Sequence, residues 1–458
     1  MDDATQFGFA SRGRQAGRLV PKPSTGSLSR PATEGKVRAS FSEQCFAVCV
    51  LILSTGAFVN LFPGEQGVEF EEQGLLFAQI LWALLFVVML FIARKQFVEF
   101  GRLAWQNKPF VLLLGWACLS VVWSIDQQVT IRHVIALLAT SFFGIYLAVR
   151  YDLPGRLRLI AISLGVVVTA SVAASLVFPQ YGIDRTLLEE PAWQGVFSHK
   201  NTLGRLTLLA ALILVLYLLR RRRRLIIFVA ILLMFCVVVL SRSKTSLVYF
   251  VVGIVAFPFV RSFQRNPAKR TKILWLAASV FGGFAGWIAL NWEGFVDSLG
   301  KDPTLTGRVA LWALSINWIS EKPLIGYGYD AFWSAFYGPA AELRAAANWL
   351  EAPHAHNGFI NLCLDLGLVG VVLFCLTFVS AYRHALKLAR ASRTPEGIWP
   401  LAFLTFMFIY SLTEISYLSR TDLFWILYVS VMFGLMRGLA QKPQTTLLRA
   451  SQEYRVAE

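Results

Sequence analysis

The sequence is poor in charge. Charged residues fill only 15% of its 458 positions, where a soluble domain carries about 25%. That shortage excludes an ordinary water-soluble enzyme. The hydrophobic content of 56% excludes a disordered chain. Asp and Glu are the scarcer sign: 27 of them against 43 Lys and Arg leave a net charge of +16. Cysteine is scarce too, and all six (Cys45, Cys49, Cys118, Cys236, Cys363 and Cys375) sit in apolar runs. No CxxC pair or zinc spacing occurs, so no disulfide framework or structural metal is implied. Each cysteine reads as a small buried hydrophobe. No Walker loop or dinucleotide fingerprint is present, which argues against a nucleotide ligand. No convincing carboxylate pair of the kind that hydrolyses glycosides is found either.

What the chain has is long apolar runs. A helix needs about 20 apolar residues to span a bilayer. Twelve such runs lie near 41–62, 74–93, 109–123, 131–149, 158–178, 203–219, 225–240, 245–260, 272–290, 358–381, 398–414 and 423–438. The third, seventh, eighth and last are short. The runs are continuously apolar, whereas barrel strands alternate over about ten residues. The expected fold class is therefore an all-α integral membrane protein with about 12 transmembrane helices.

Cytoplasmic loops collect Lys and Arg. With both termini inside, the inner segments hold 32 of the 43 basic residues, while 17 of the 27 acidic residues fall outside. The net +16 thus reports topology rather than nucleic acid. Residues 1–40 read as a disordered basic cytoplasmic tail without a signal-peptide core, and 439–458 as a second cytoplasmic tail. Helices 1–9 fill 41–290 and helices 10–12 fill 358–438. Between them, 291–357 is a large outer loop. Loops of that length are usually functional, and Thr306 to Ser320 reads as an amphipathic helix within it.

Polar chemistry gathers on the expected outer face. Two of the five histidines, His354 and His356, stand before Asn357 at the entrance to the tenth run. Their i, i+2 spacing points them apart on a helix. A backbone-bonded loop histidine, a metal ligand and a catalytic base are all open readings. His199, Lys200 and Asn201 stand at the mouth of the sixth run, with Arg185 before them and Arg205 one turn inside. Lys200 and Arg205 read as snorkelling cations or as cavity-facing charges. Arg242 and Lys244 fill the turn between the seventh and eighth runs, against the positive-inside bias, and Arg308 adds another outer cation. Glu414 and Asp422 flank the eleventh connection, and Asp365 lies two turns into the tenth run. Arg grips phosphate through its planar fork, so these cations suit an anionic headgroup.

Five stretches occur in one order: Gly195-Val196-Phe197-Ser198-His199-Lys200-Asn201-Thr202-Leu203-Gly204; Leu240-Ser241-Arg242-Ser243-Lys244-Thr245; Gly307-Arg308 with Trp312; Pro323-Leu324-Ile325-Gly326-Tyr327-Gly328; and His354-Ala355-His356-Asn357-Gly358-Phe359 with Asp365-Leu366-Gly367 and Gly370. In these the chain resembles the O-antigen ligase and polymerase superfamily, and within it the exopolysaccharide polymerization proteins of succinoglycan type. The resemblance covers about residues 185–375.

The resemblance implies a GT-C-type membrane glycosyltransferase with a large periplasmic loop, in the bacterial inner membrane, with its active site facing the periplasm. It implies a substrate carried on undecaprenyl pyrophosphate, and neither a nucleotide sugar, a cofactor nor a metal. Arg205, Arg242 and Arg308, with Lys200, Lys244 and Arg185, would hold the pyrophosphate. His356 would activate the acceptor hydroxyl, with His354 as the alternative base. His199, Asn201, Asn357 and Glu414 would contact glycan or acceptor. Expected partners are the lipid-linked oligosaccharide, membrane lipid and polysaccharide co-polymerase or export proteins. The leading reading is a polymerase of lipid-linked repeat units by inverting transfer. An O-antigen ligase acting on lipid A core is the alternative, and a polysaccharide or lipid flippase the second. Transporters often show inverted repeats with midplane sites; no repeat is evident here, and the charges sit at the outer mouth.

Overall fold

A computed structural model describes residues 39–58, 68–185, 191–219, 224–283 except 274, 277, 278 and 281, 308–334, 338–347, and 352–438 except 353 and 393. Its helices are α1 (Phe41–Leu53), α2 (Val68–Ala93), α3 (Phe97–Gln106), α4 (Lys108–Leu119), α5 (Gln127–Arg150), α6 (Leu153–Val177), the short α7 (Pro179–Gly182), α8 (Lys200–Leu218), α9 (Arg224–Leu240) and α10 (Lys244–Arg265). They continue as α11 (Arg308–Glu321), α12 (Pro339–Ala346), α13 (Gly358–Ala391), α14 (Trp399–Tyr410) and α15 (Leu423–Gly438). One short hairpin interrupts them: β1 (Ile183–Asp184) runs antiparallel to β2 (Ala192–Trp193), with Ile183 opposite Trp193.

Among the described residues five helices are long and apolar enough to cross a membrane, by length and composition: Ile80–Gln106, Gln127–Arg150, Leu153–Val177, Lys200–Leu218 and Gly358–Ala391. Shorter apolar helices include α1, α9 and α15. Large apolar side chains such as Leu84, Val87, Phe91, Val372 and Leu376 face outward, as lipid rather than water would require. The all-α, multi-pass membrane reading holds.

Several boundaries differ from expectation. The first run stops at Leu53 rather than 62, because Ser54 and Thr55 turn their hydroxyls back onto the carbonyls of Leu51 and Ile52, at 2.8 and 2.6 Å. The connection at 94–108 contains a helix of its own, α3. Within the expected outer loop, Arg308–Glu321 forms α11. Residues 1–38, 439–458, most of the ninth run, and 291–307 lie outside the described residues.

Helix α15 is the hub. Phe424, Trp425, Ile426 and Val429 are each 0% exposed, and a helix apolar on every side is a buried one. Its polar handles are satisfied: Trp425 Nε1 donates to Ser141 Oγ at 2.8 Å, and the Tyr428 hydroxyl lies 2.7 Å from that of Thr377. Helices α11 and α12 form a smaller core of their own, in which Leu311, Phe332, Trp333 and Leu343 pack with Leu364 of α13. The buried Arg344 ties this lobe together by donating to the carbonyls of Ala352 and Trp333.

Within the tenth run, α13 breaks at Gly367 (φ 65°, ψ −171°). A break inside a membrane strands backbone groups, each costing several kcal/mol if left unsatisfied. Here the 323–328 segment takes them up. Tyr327 N donates to Leu364 O at 2.7 Å, Gly328 N to Asp365 O at 3.0 Å, and Leu368 N to Pro323 O at 2.8 Å. Trp116 Nε1 donates to Leu366 O at 3.0 Å. A Cβ on Gly367 would lie 2.2 Å from Leu324 O. The Pro323–Gly328 and Asp365–Gly367 stretches are thus two halves of one joint. Gly367→Ala should cost at least roughly 1–3 kcal/mol from the left-handed backbone alone, with the steric clash added. The unfolding midpoint of the detergent-solubilised protein should fall; an unchanged midpoint would contradict this account of the joint.

Candidate active site

Three helices start at one end of the bundle, and motif residues stand at each start. His199 caps α8, its Nδ1 accepting from Asn201 N. Ser243 caps α10, accepting from Ser246 N. Asn357 caps α13, its Oδ1 accepting from Phe359 N and Ile360 N. Arg308 is the first described residue of α11 and lies beside these starts. Helix starts carry unpaired N–H groups and partial positive charge. The starts of α8 and α10 are tied by Ser243 Oγ, which donates to Asn201 Oδ1 at 2.9 Å. Gly204 permits that approach, since a Cβ there would lie 2.4 Å from Ser246 Oγ.

Glu414 sits where these starts meet and is 7% exposed. Its Oε1 accepts from Arg308 Nη2 at 3.0 Å and, at a longer 3.5 Å, from Asn201 Nδ2. Its Oε2 lies 3.1 Å from His356 Nδ1. Arg308 Nη1 donates to Thr413 O at 2.9 Å, and the Thr413 hydroxyl lies 2.8 Å from that of Tyr249 on α10. An ionised carboxylate only accepts, so the pair places the imidazole proton on Nδ1. The lone pair then resides on Nε2. The 3.4 Å approach of Arg308 Nη2 to the same Nδ1 is close packing of a cation rather than a donated bond.

Burial would raise the Glu414 carboxyl, but the hydrogen bond from His356 and the neighbouring charge of Arg308 outweigh it and hold the group at about 2. His354 differs from His356. Its Nδ1 is occupied by the backbone N–H of His356 at 3.1 Å. Burial, with the neighbouring His356 and Arg308, pushes it down to about 3, so it stays neutral and is a weak base. The two rings are 4.2 Å apart, and His356 holds a left-handed backbone at φ 48°.

Ligand atoms of His354, His356 and Glu414 lie within 4.8 Å of one another and could hold a metal ion. Arg308 already brings a positive charge to Glu414 and His356, which opposes a second cation there.

The remaining sequence candidates divide. Arg205 turns to Asp422 at 2.9 Å and lies over the Phe424 ring; its charge is met by a carboxylate rather than by the Glu414 centre. Arg242 is exposed on a left-handed backbone at φ 49°. Lys200 feels the charges of Asp184 and Lys244, and Arg185 is exposed beside Asp184. Asn357 uses its oxygen for the cap, and its Nδ2 donates to Leu412 O at 3.2 Å. Asp365 accepts from Asn361 within α13 at 2.9 Å. Sequence reasoning placed Glu414 as a glycan contact and missed that it bridges Arg308 and His356. It also missed Ser243 and Tyr249, which carry no charge to draw attention.

The family described as O-Antigen ligase matches residues 229–375. The exopolysaccharide production protein ExoQ of Rhizobium meliloti (strain 1021) is 28% identical over 323 residues, covering 66% of this chain and 71% of that protein. A provisionally named polysaccharide ligase of Rickettsia conorii (strain ATCC VR-613 / Malish 7) is 26% identical over 147 residues, or 30% of this chain and 33% of that protein. A similarly named protein of Rickettsia bellii (strain RML369-C) is 29% identical over 150 residues, or 31% and 35%. The class defined is a multi-pass helical membrane protein. Within that class the chain resembles the O-antigen ligase and polymerase superfamily and its exopolysaccharide production proteins, as its motifs indicate. The matched residues include Arg308 and His356 but not Glu414, whose connection to them emerges only in three dimensions.

The depressed Glu414 carboxyl has a consequence for stability. A group near 2 when folded and 4.5 when free contributes stability that is fully present above pH 4.5 and is lost as pH falls toward 2. The contribution is on the order of 3 kcal/mol. Glu414→Gln should lower stability at neutral pH and flatten the acid limb of the stability–pH curve. An identical acid limb in the variant would remove Glu414 as its source.

Proposed function

We propose that this protein joins lipid-linked oligosaccharide repeat units into exopolysaccharide by inverting glycosyl transfer, at the periplasmic face of the inner membrane. The observation that carries this reading is the Glu414 carboxylate, bonded at once to Arg308 and His356 among converging helix starts. That arrangement separates a base from an anion grip, as displacement of a pyrophosphate requires.

In this reading His356 Nε2 takes the proton of the acceptor hydroxyl as its oxygen attacks the anomeric carbon. The bond from that carbon to the pyrophosphate oxygen breaks, and its electron pair leaves with undecaprenyl pyrophosphate. A single displacement inverts the carbon. Glu414 holds His356 in the tautomer that exposes the basic nitrogen and stabilises the imidazolium that forms. Among the described residues Arg308 engages two of its five N–H donors in hydrogen bonds, to Thr413 and Glu414; the others are available to the leaving phosphate. Helix starts add favourable field for an anion, about 0.3–1 kcal/mol each. Arg242, Lys244 and Lys200 lie nearer the surface and suit the approach of the charged carrier more than the reacting bond. Arg205, paired with Asp422, shapes the wall. Membrane lipid surrounds the bundle, and co-polymerase or export proteins are the expected macromolecular partners.

A ligase reading has its own support, since the matching family is described as O-Antigen ligase. The two differ in acceptor, and the same centre serves either. His356→Ala should abolish long polysaccharide while the protein remains inserted. Arg308→Lys should lower the rate by at least about tenfold, because the planar fork is lost. Normal chain length in His356→Ala would defeat the base assignment. Accumulation of long chains on the carrier lipid in that variant would turn the reading from polymerase to ligase.

A further inference from the structure

A second set of the same three side-chain types meets outside the Glu414 centre. His133 lies in the second turn of α5, Asp330 follows Gly328, and Arg420 lies in the segment joining α14 to α15. His133 Nδ1 is 3.2 Å from Asp330 Oδ2 and 3.0 Å from Arg420 Nη1, and Arg420 pairs directly with Asp330. Three separate parts of the chain therefore converge on one carboxylate, one imidazole and one guanidinium.

The backbone beneath them is strained and firmly held. Asp330 and Thr421 both lie at φ 53°, and Leu418 at φ 44°. Such conformations are costly for non-glycine residues and gather at functional sites. Tyr329 pins the region in place. Its N donates to Ser120 Oγ at 3.0 Å, its carbonyl accepts from Thr130 Oγ1 at 3.2 Å, and its hydroxyl donates to Leu418 O.

The two sets differ in access. The Arg308 and Glu414 side chains are 10% and 9% exposed, whereas Arg420 and Asp330 are 40% and 30% exposed. The second set is open to a ligand where the first is enclosed. The chemistry is that of a polyhydroxyl ligand. A carboxylate accepts from two hydroxyls, a guanidinium fork donates to two oxygens, and an imidazole can do either. The segment that carries Arg420 also carries Glu414 six residues earlier. Even fully extended, that stretch spans no more than about 20 Å, a reach that an oligosaccharide covers.

We propose that His133, Asp330 and Arg420 form a subsite for the acceptor saccharide, holding its hydroxyls while His356 acts on the one that reacts. This rests on the glycosyl-transfer reading given above. The probe is the carrier-free oligosaccharide repeat unit of the host polysaccharide, titrated calorimetrically into the full-length protein in nanodiscs. Arg420→Lys, which keeps the charge toward Asp330, and Asp330→Asn should each weaken binding about tenfold. In transfer assays they should raise the acceptor KM by a similar factor and leave kcat nearly unchanged. His356→Ala should abolish kcat and still bind the probe.

Unchanged probe affinity in both Arg420→Lys and Asp330→Asn, with lowered unfolding temperature, would reduce the set to a structural clasp and overturn the proposal. So would absence of measurable probe binding by the unaltered chain. Weakened binding in these variants together with normal elongation by His356→Ala would sink the transfer reading and leave the saccharide site standing.

Discussion

One carboxylate organises the end of the bundle where the chemistry gathers. Glu414 sits among the starts of α8, α10 and α13, which present positive potential, with Arg308 and His356 added. A buried charge persists only when it is paired and hydrogen-bonded, and here each oxygen has its partner. The same pairing sets the tautomer of His356 and the direction of the Arg308 fork. Loss of the carboxylate would leave a buried guanidinium and an unoriented imidazole together. One group therefore satisfies several buried partners at once, and the centre is held by electrostatics more than by apolar packing.

Packing enters through the joint at Gly367. An unbroken helix would leave Pro323–Gly328 without donors and acceptors to bind. The break supplies them, and the loop returns the hydrogen bonds that lipid cannot provide. This joint anchors the lobe containing α11 to α13, and so holds Arg308 near His356. At the opposite end of the chain, α15 is enclosed on every side and fixes the segment carrying Glu414, Arg420 and Asp422. The short polar connections are thus strung between rigid apolar elements, which suits a site that must keep its geometry at a membrane surface.

Much of this was legible beforehand. Continuous apolar runs announced membrane helices because lipid demands internally bonded backbone, and most helices start within a few residues of the expected runs. His356, Arg308 and Asn201 stood out because cations and histidines are scarce and lay beside spans. Other features were not legible. Asn357 was grouped with glycan contacts although its oxygen caps α13, a local role that sequence cannot separate from binding. Arg205 stood out as a cation within a span, but its partner Asp422, 217 residues away, could not be read from the sequence. The break in α13 was hidden because Gly367 fits an apolar run as well as a kink. His133 and Arg420 drew no notice, since each stands alone until Asp330 joins them.

Composition and hydropathy alone determined that the chain crosses a membrane many times as helices, because the free energy of transferring residues into lipid is a local sum along the sequence. Motif order alone determined its resemblance to polysaccharide ligases and polymerases. Which charges neutralise one another was decided only in the tertiary structure. Electrostatic interaction depends on distance and burial, and both are set by how helices far apart in sequence pack. The carboxylate partner of the histidine, the glycine that breaks a helix and the second polar cluster all depend on contacts between distant residues, and none of these is written in any local stretch.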